Sequence, residues 1–182
     1  MADIDGYKDK FSESGQRVLE TALSESRKRD QNYVTVEHIM HAFAFEEDDL
    51  FSSTMRDLSV DPRSVKMLIE KRMEDGRQHS GKGFRIAPET TELFKRAMDR
   101  ARSQGRRVID SSDIFYVLSN DERSVLNEVL QNLGVPSDEV ASTARTQIRS
   151  REKEEERTRQ KYELPSFLRH FGVSLNKLAR QD

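Results

Sequence analysis

Gly76-Arg77-Gln78-His79-Ser80-Gly81-Lys82-Gly83 comes within one residue of the phosphate-binding loop G-x-x-x-x-G-K-[ST], whose amides cradle phosphates while its hydroxyl ligates magnesium. Gly83 stands where that hydroxyl must be. The segment also follows a helical stretch, Val65 to Glu74, where the motif requires a strand. It reads as an exposed loop, and no cofactor is expected. Glu37-His38 and His41 raise a second chemistry, because two imidazoles at i, i+3 occupy neighbouring positions of a helix. A zinc protease helix needs its histidines at i, i+4 with a glutamate between them. That spacing is absent, so His38 is expected in a capping turn, His41 on the surface, and no metal on either. His79 and His170 stand alone, and no nucleophile–base pair is visible, so no catalytic residue is assigned.

Arg27-Lys28-Arg29 and the group Arg100, Arg102, Arg106, Arg107 form two basic clusters toward the ends of candidate helices, where cations complement the helix dipole. A single-stranded nucleic-acid surface would need stacking aromatics beside such a stripe; there is no tryptophan, and Tyr and Phe fall mostly at core positions. The whole-chain balance of 31 Lys+Arg against 33 Asp+Glu also argues against a nucleic-acid partner. The chain has no cysteine, which excludes disulfides and thiolate metal sites and fits a reducing cytosol. With a mean hydropathy of -0.84 and no apolar run near the length of a bilayer span, no membrane partner is expected. The opening Met1-Ala2-Asp3-Ile4-Asp5-Gly6 lacks the apolar core of a signal peptide, so the expected location is the cytoplasm.

What must position these residues is an internal repeat. At an offset of 75 residues, Phe11 to Phe43 overlies Ile86 to Leu118 without a gap, and apolar falls on apolar: Val18-Leu19 on Leu93-Phe94, Ala22-Leu23 on Ala97-Met98, Ile39-Met40 on Ile114-Phe115. The register persists downstream, with Met55 on Leu130, Leu58 on Leu133, Val60 on Val135 and Val65 on Val140. Within each copy the apolar residues recur with helical spacing. Thr35 and Asp110 precede the second helices as N-caps, and Pro62 and Pro136 restart the chain for the fourth. No alternating run is long enough for a strand. The fold class is therefore all-α: two tandem pseudo-symmetric four-helix repeats followed by a charged helical linker. The expected organisation is a flexible tail at 1–10, repeat one at 11–75, a loop at 76–88 and repeat two at 89–141. A charged linker at 142–163 and a short amphipathic segment at 164–182 complete it.

Phe11-Ser12-Glu13-Ser14-Gly15-Gln16-Arg17-Val18-Leu19 and Asn32-Tyr33-Val34-Thr35-Val36-Glu37-His38-Ile39-Met40-His41-Ala42-Phe43 resemble the opening and the signature of the Clp N-terminal repeat family. Repeat two keeps the opening helix but has Ser112-Asp113 in place of Glu-His, a weaker copy similar to that of ClpA-type members. Phe171 and Ser174 to Arg180 are similar to the lead-in to the first ATPase module of Clp proteins, which is itself absent here. The resemblance implies a domain that receives protein substrates and adaptor proteins above a hexameric AAA+ ring, with a ClpP-type peptidase possible beneath. The domain itself would be monomeric and no enzyme. In some ClpC-type members a hydroxyl at the repeat start and the signature glutamate bind phosphorylated arginine; the matching positions are Ser12 and Glu37, with Ala87 and Ser112 as degenerate counterparts. The residues' own reading places Ser12 as a helix cap and Glu37 as a first-turn carboxylate. Two alternatives stay open: a stand-alone accessory protein docking on a Clp complex, and a small helical enzyme.

Overall fold

The computed structural model describes residues 9–45, 49–74 and 85–162. The tail before Asp9, the Gly76–Gly83 loop, His79, His170 and the segment 164–182 lie outside the described residues. Among the described residues are eight helices: α1 Glu13–Lys28, α2 Val36–Phe45, α3 Asp49–Asp57, α4 Pro62–Glu74, α5 Pro88–Ser103, α6 Ser111–Asn120, α7 Val125–Asn132 and α8 Ser137–Tyr162. The all-α class stands, with two helical repeats in the expected order.

The 75-residue register is written into the backbone. α1 and α5 begin and end 75 positions apart, as do α2 and α6. Each repeat twice leaves a helix through a residue with positive φ, Asp30 (52°) and Ser59 (57°) in the first, Gly105 (73°) and Gly134 (85°) in the second. Around each, the same two bonds close the helix: Asp30 N–H to the Arg27 carbonyl and Gln31 N–H to Ser26 match Gly105 to Arg102 and Arg106 to Ala101. Ser59 to Arg56 and Val60 to Met55 likewise match Gly134 to Gln131 and Val135 to Leu130. These closures satisfy carbonyls that a helix end leaves unpaired.

The repeats are joined by exchange. Two short strands, β1 Tyr33–Val34 and β2 Arg85–Ile86, pair in parallel, Tyr33 against Arg85 and Val34 against Ile86. A single bridge pairs Phe11 with Ile109. In the repeat register Phe11 corresponds to Ile86 and Val34 to Ile109, so the segment opening each repeat pairs with the segment that precedes the second helix of the other. The bonds correspond too: Ser12 N–H donates to the Ile109 carbonyl at 2.9 Å, and Ala87 N–H to the Val34 carbonyl at 3.0 Å. The strands escaped the sequence reading because pairing two residues long leaves no alternation to detect.

One continuous apolar core runs through both repeats. α2 and α6 are its central helices; every residue from His38 to Phe43 and from Ser111 to Phe115 is buried. Phe43 and Phe115 meet across it with ring centroids 5.4 Å apart, and Phe11 sets its edge on Phe94 of the other repeat at 5.0 Å. Gly15 marks the tightest point: a Cβ there would lie 2.6 Å from the Ile109 carbonyl oxygen. The Gly15→Ala variant is expected to lose about 1–3 kcal/mol, the cost of overpacking, in urea unfolding.

The chain divides into two units after Ile148. The sequence reading ended repeat two at Ala141. Instead α8 continues, and Val140, Ala144 and Ile148, four residues apart, are all buried in the core of the first unit. The Ser, Thr, Gln and Arg residues between these positions, and the dense run of charge that follows from Arg149, hid that stripe. Of the second unit the structure describes Arg149–Tyr162, a polar helical stretch with an Arg151–Glu155 ion pair one turn apart at 3.1 Å. A chain ending at 141 is expected to melt well below one ending at 150, by about 3 kcal/mol for the lost Ile148 and Ala144 side chains; thermal denaturation followed by circular dichroism distinguishes them.

Candidate functional site

The exchanged pairing decides which sequence-matched residues become neighbours. Ser12, opening repeat one, is set beside residues 109–112 of repeat two; Ala87, opening repeat two, is set beside residues 34–37 of repeat one. Ser12 and Glu37 therefore belong to two different edges of the seam, related by the repeat register.

At the Ser12 edge, two helix N-termini converge. The Ser12 side chain caps α1 by accepting from Gly15 N–H at 3.3 Å, and its hydroxyl donates to Asp110 Oδ2 at 2.8 Å. The Ser14 hydroxyl donates to the same oxygen at 2.6 Å and accepts from Ser111 N–H at 3.2 Å. Asp110 Oδ1 accepts from Ser112 N–H at 3.0 Å, which makes Asp110 the N-cap of α6. The place where hydroxyls and helix amides gather is thus filled by the protein's own carboxylate. The expected caps Ser12 and Asp110 are both present, while the bond they share and the part Ser14 plays between them left no sequence signal.

The Glu37 edge is a groove of about 330 Å³. Its floor is apolar, from Val36, Leu93, Leu118 and Val125, and its rim carries Glu37, Glu89 and Glu92. Glu37 is half-buried in the first turn of α2, as expected, while Glu89 and Glu92 stand on the exposed side of α5. Neither Glu37 nor Glu89 has a hydrogen bond or ion pair to the described residues, whereas Lys95 reaches Glu92 at 3.3 Å. At the far end Asp121 binds Arg96 and accepts from Arg123 N–H at 3.1 Å. The Arg96 hydrogen bond holds the Asp121 carboxyl below its usual range against the opposing effect of burial. Glu89, Glu92 and Asp121 gave no sequence signal, because only the exchanged strands bring α5 and the α6–α7 turn up to Glu37.

Behind each edge the signature position is buried differently. In repeat two Asp113 completes a capping box with Asp110 and is wholly buried, its carboxylate held by Arg106 at 2.6 and 2.8 Å and by Arg100. Arg100 also lies over the Tyr116 ring at 4.6 Å. Two of the basic residues expected only to offset a helix dipole thus neutralise a buried anion. In repeat one the same position is His38. Its Nδ1 accepts from Thr35 N–H at 3.2 Å and lies 2.9 Å from the Thr35 hydroxyl, so an imidazole closes the cap that a carboxylate closes in repeat two. An accepting Nδ1 puts the ring proton on Nε2, which is buried with no partner among the described residues. His41, expected on the surface, is buried as well, stacked on Phe45 at 5.8 Å with Nε2 3.3 Å from Glu70. The reason is that α2 is covered on both sides, by α1 and α4. Among the described residues no group of three or more His, Asp or Glu could hold a metal.

Burial lowers the His38 pKa to about 4 from 6.5; Arg29 and His41 push the same way and Glu37 and Glu25 oppose them. The unfolded chain therefore binds the extra proton between those pH values. Stability is full above pH 6.5 and falls as pH drops toward 4, by up to about 3 kcal/mol. In His38→Gln this part of the acid sensitivity should be missing, as read by urea unfolding at pH 7 and at pH 5.

The architecture and the seam define a tandem helical-repeat domain with one acidic groove and one self-satisfied hydroxyl cluster. The profile of the Clp repeat (R) N-terminal domain matches residues 10–133, and the chain belongs to that family. It is 25% identical over 126 residues to the negative regulator of genetic competence ClpC/MecB of Bacillus subtilis (strain 168), covering 69% of this chain and 15% of that protein. To the chloroplastic chaperone protein ClpC1 of Arabidopsis thaliana it is 23% identical over 140 residues, 77% of this chain and 15% of the relative. The chain thus spans about 15% of the length of these relatives. Among solved structures, the Hsp104 N-terminal domain from Candida albicans superposes with a TM-score of 0.64 at 11% identity, over 74% of this chain and 88% of that one. The N-terminal domain of the ClpV1 ATPase from E. coli gives 0.60 at 20% identity, over 72% and 82%. At these identities the structures establish the fold.

Proposed function

We propose that this domain captures protein substrates or adaptor proteins for a Clp-type ATPase ring and passes them to its translocation pore, above a ClpP-type peptidase where one is present. The observation that carries this reading is the groove beside the family's signature position: Glu37 stands half-buried at its edge with no partner among the described residues, in a chain of the Clp repeat family. A groove with an apolar floor and a charged rim offers a protein partner both contact area and polar groups that fix its orientation. Ser12, the other residue matched to the family's ligand-binding positions, acts here as a cap and as a donor to Asp110. Docking is therefore assigned to Glu37 and its neighbours on α5. Turnover of ATP belongs to the part of such a machine outside the matched region.

Residues 1–150 and their Glu37→Lys variant, used as baits in a cytosolic extract, test this. The expected outcome is recovery of a Clp adaptor or an unfolded substrate by the first and loss of at least about tenfold with the second, since reversing one charge at a small interface exceeds 1.4 kcal/mol. Equal recovery by both would keep docking but remove it from the groove. Recovery by neither would end the docking assignment.

A further inference from the structure

The far end of α2 carries a surface that the Glu37 groove does not include. α1 and α4 flank α2 and treat its last turn alike. Each brings a carboxylate to His41: Glu70 of α4 lies 3.3 Å from Nε2, and Glu25 of α1 is near enough for the two charges to interact. Each then brings an ammonium to Phe45, with Lys66 of α4 at 5.0 Å and Lys28 of α1 at 5.6 Å from the ring centre. The carboxylates are already committed, Glu70 to His41 and Glu25 to Arg29 at 2.8 Å and Lys28 at 3.5 Å. Lys66 has only the ring, and the Arg63 side chain, one turn before it on α4, pairs with no described residue. Phe45 itself is 50% exposed. With the Thr21, Ser24 and Lys28 face of α1 it lines a groove of about 370 Å³. The other charges there are engaged: Arg17 with Glu13 at 2.9 Å, and Glu20 as well. Glu46-Glu47-Asp48 follow Phe45 in sequence and lie outside the described residues.

We infer that this face is a second docking surface, whose occupant is an acidic segment of a partner protein bearing one large apolar side chain. That side chain packs on the open part of the Phe45 ring, and carboxylates beside it reach Lys28 and Lys66. A cation–π contact at an exposed site is weaker than a charge-assisted hydrogen bond. Both ammoniums therefore gain by turning to the partner while their stems stay on the ring. A purely apolar segment would desolvate them without replacing their water, and a basic one would be repelled. The two surfaces are separate, because Glu37 sits in the first turn of α2 and Phe45 ends it, roughly 12 Å further along the axis.

The experiment uses the full chain and fluorescein-labelled peptides with a central phenylalanine flanked on each side by an acidic pair, by the corresponding amides, or by lysines. A fourth peptide keeps the acidic pairs around a central alanine. Binding is followed by fluorescence anisotropy at low and high salt. The acidic phenylalanine peptide is expected to bind at least about tenfold tighter than the amide peptide, an advantage that shrinks with added salt, and the lysine peptide to bind most weakly. Exchange of phenylalanine for alanine should cost about tenfold as well. The double variant Lys28→Gln, Lys66→Gln should remove the acidic advantage and leave the amide peptide unchanged, while Phe45→Ala weakens both; thermal melting is the folding control. Equal binding of acidic and amide peptides, an acidic preference that survives in the double lysine variant, or no binding up to roughly 1 mM would each overturn the inference. Acidic-peptide binding seen only in the triple variant Glu46→Gln, Glu47→Gln, Asp48→Asn would give the lysines to the chain's own acidic turn and overturn it too. Glu37-dependent capture of an adaptor should persist in the double lysine variant, so the groove and this face stand or fall separately.

Discussion

Everything in this domain depends on how closely the two repeats approach, and that distance is set where α1 passes the backbone at Ile109. With only hydrogen on Gly15, the helix comes near enough for Phe11 to pair with Ile109 and for the Ser12 amide to reach its carbonyl. That approach puts the Phe11 ring on Phe94, and the same seam lets the cores of the two repeats merge into one. The corresponding position in repeat two is Thr90, also fully buried, with a hydroxyl that finds no partner among the described residues. The two sides of the seam share a topology and differ in detail, and the groove lies on the side with the larger residue.

The helices were legible from sequence because each carries its own periodic apolar stripe, and the repeat was legible because those stripes recur at one offset. Val18, Leu19, Ile39, Phe43 and Val65 fall in the core as that offset requires, and so do Phe94, Ile114, Leu118 and Val140. Leu133 is an exception: it overlies the buried Leu58 yet is 39% exposed. What periodicity could not supply was the junction. The pairing of Val34 with Ile86 and of Phe11 with Ile109 is non-local and two residues long or shorter, and its hydrogen bonds leave no trace in composition. For a related reason the end of the core was misplaced at Ala141, because Ala144 and Ile148 are small apolar islands in a charged helix.

The candidate site was legible only in part. Glu37 lies where a first-turn carboxylate belongs, and Ser12 is the cap that its position before α1 demands. Their neighbours follow from the exchange of strands rather than from sequence proximity. Comparison of matched positions then shows charge redistributed between the copies: Arg100, Arg106 and Asp113 in repeat two correspond to Glu25, Gln31 and His38 in repeat one. An anion clamped by two cations has been replaced by a neutral imidazole that makes the same capping bond. Geometry is retained at these positions while electrostatics are free to vary, which is why motif matching alone finds the place but not its character.

The exchanged opening segments carry a lesson about how such a domain can change over generations. Two separate copies of one repeat, related by twofold symmetry, would make each of these contacts twice, and any substitution would alter both sides of their interface at once. Joining the copies into a single chain lifts that coupling and makes their association independent of concentration. Each edge of the junction then answers to its own selection: one has become a closed knot of serines around Asp110, and the other an open acidic cleft beside Glu37. The chain keeps the economy of a homodimer's architecture while having, in effect, a front and a back.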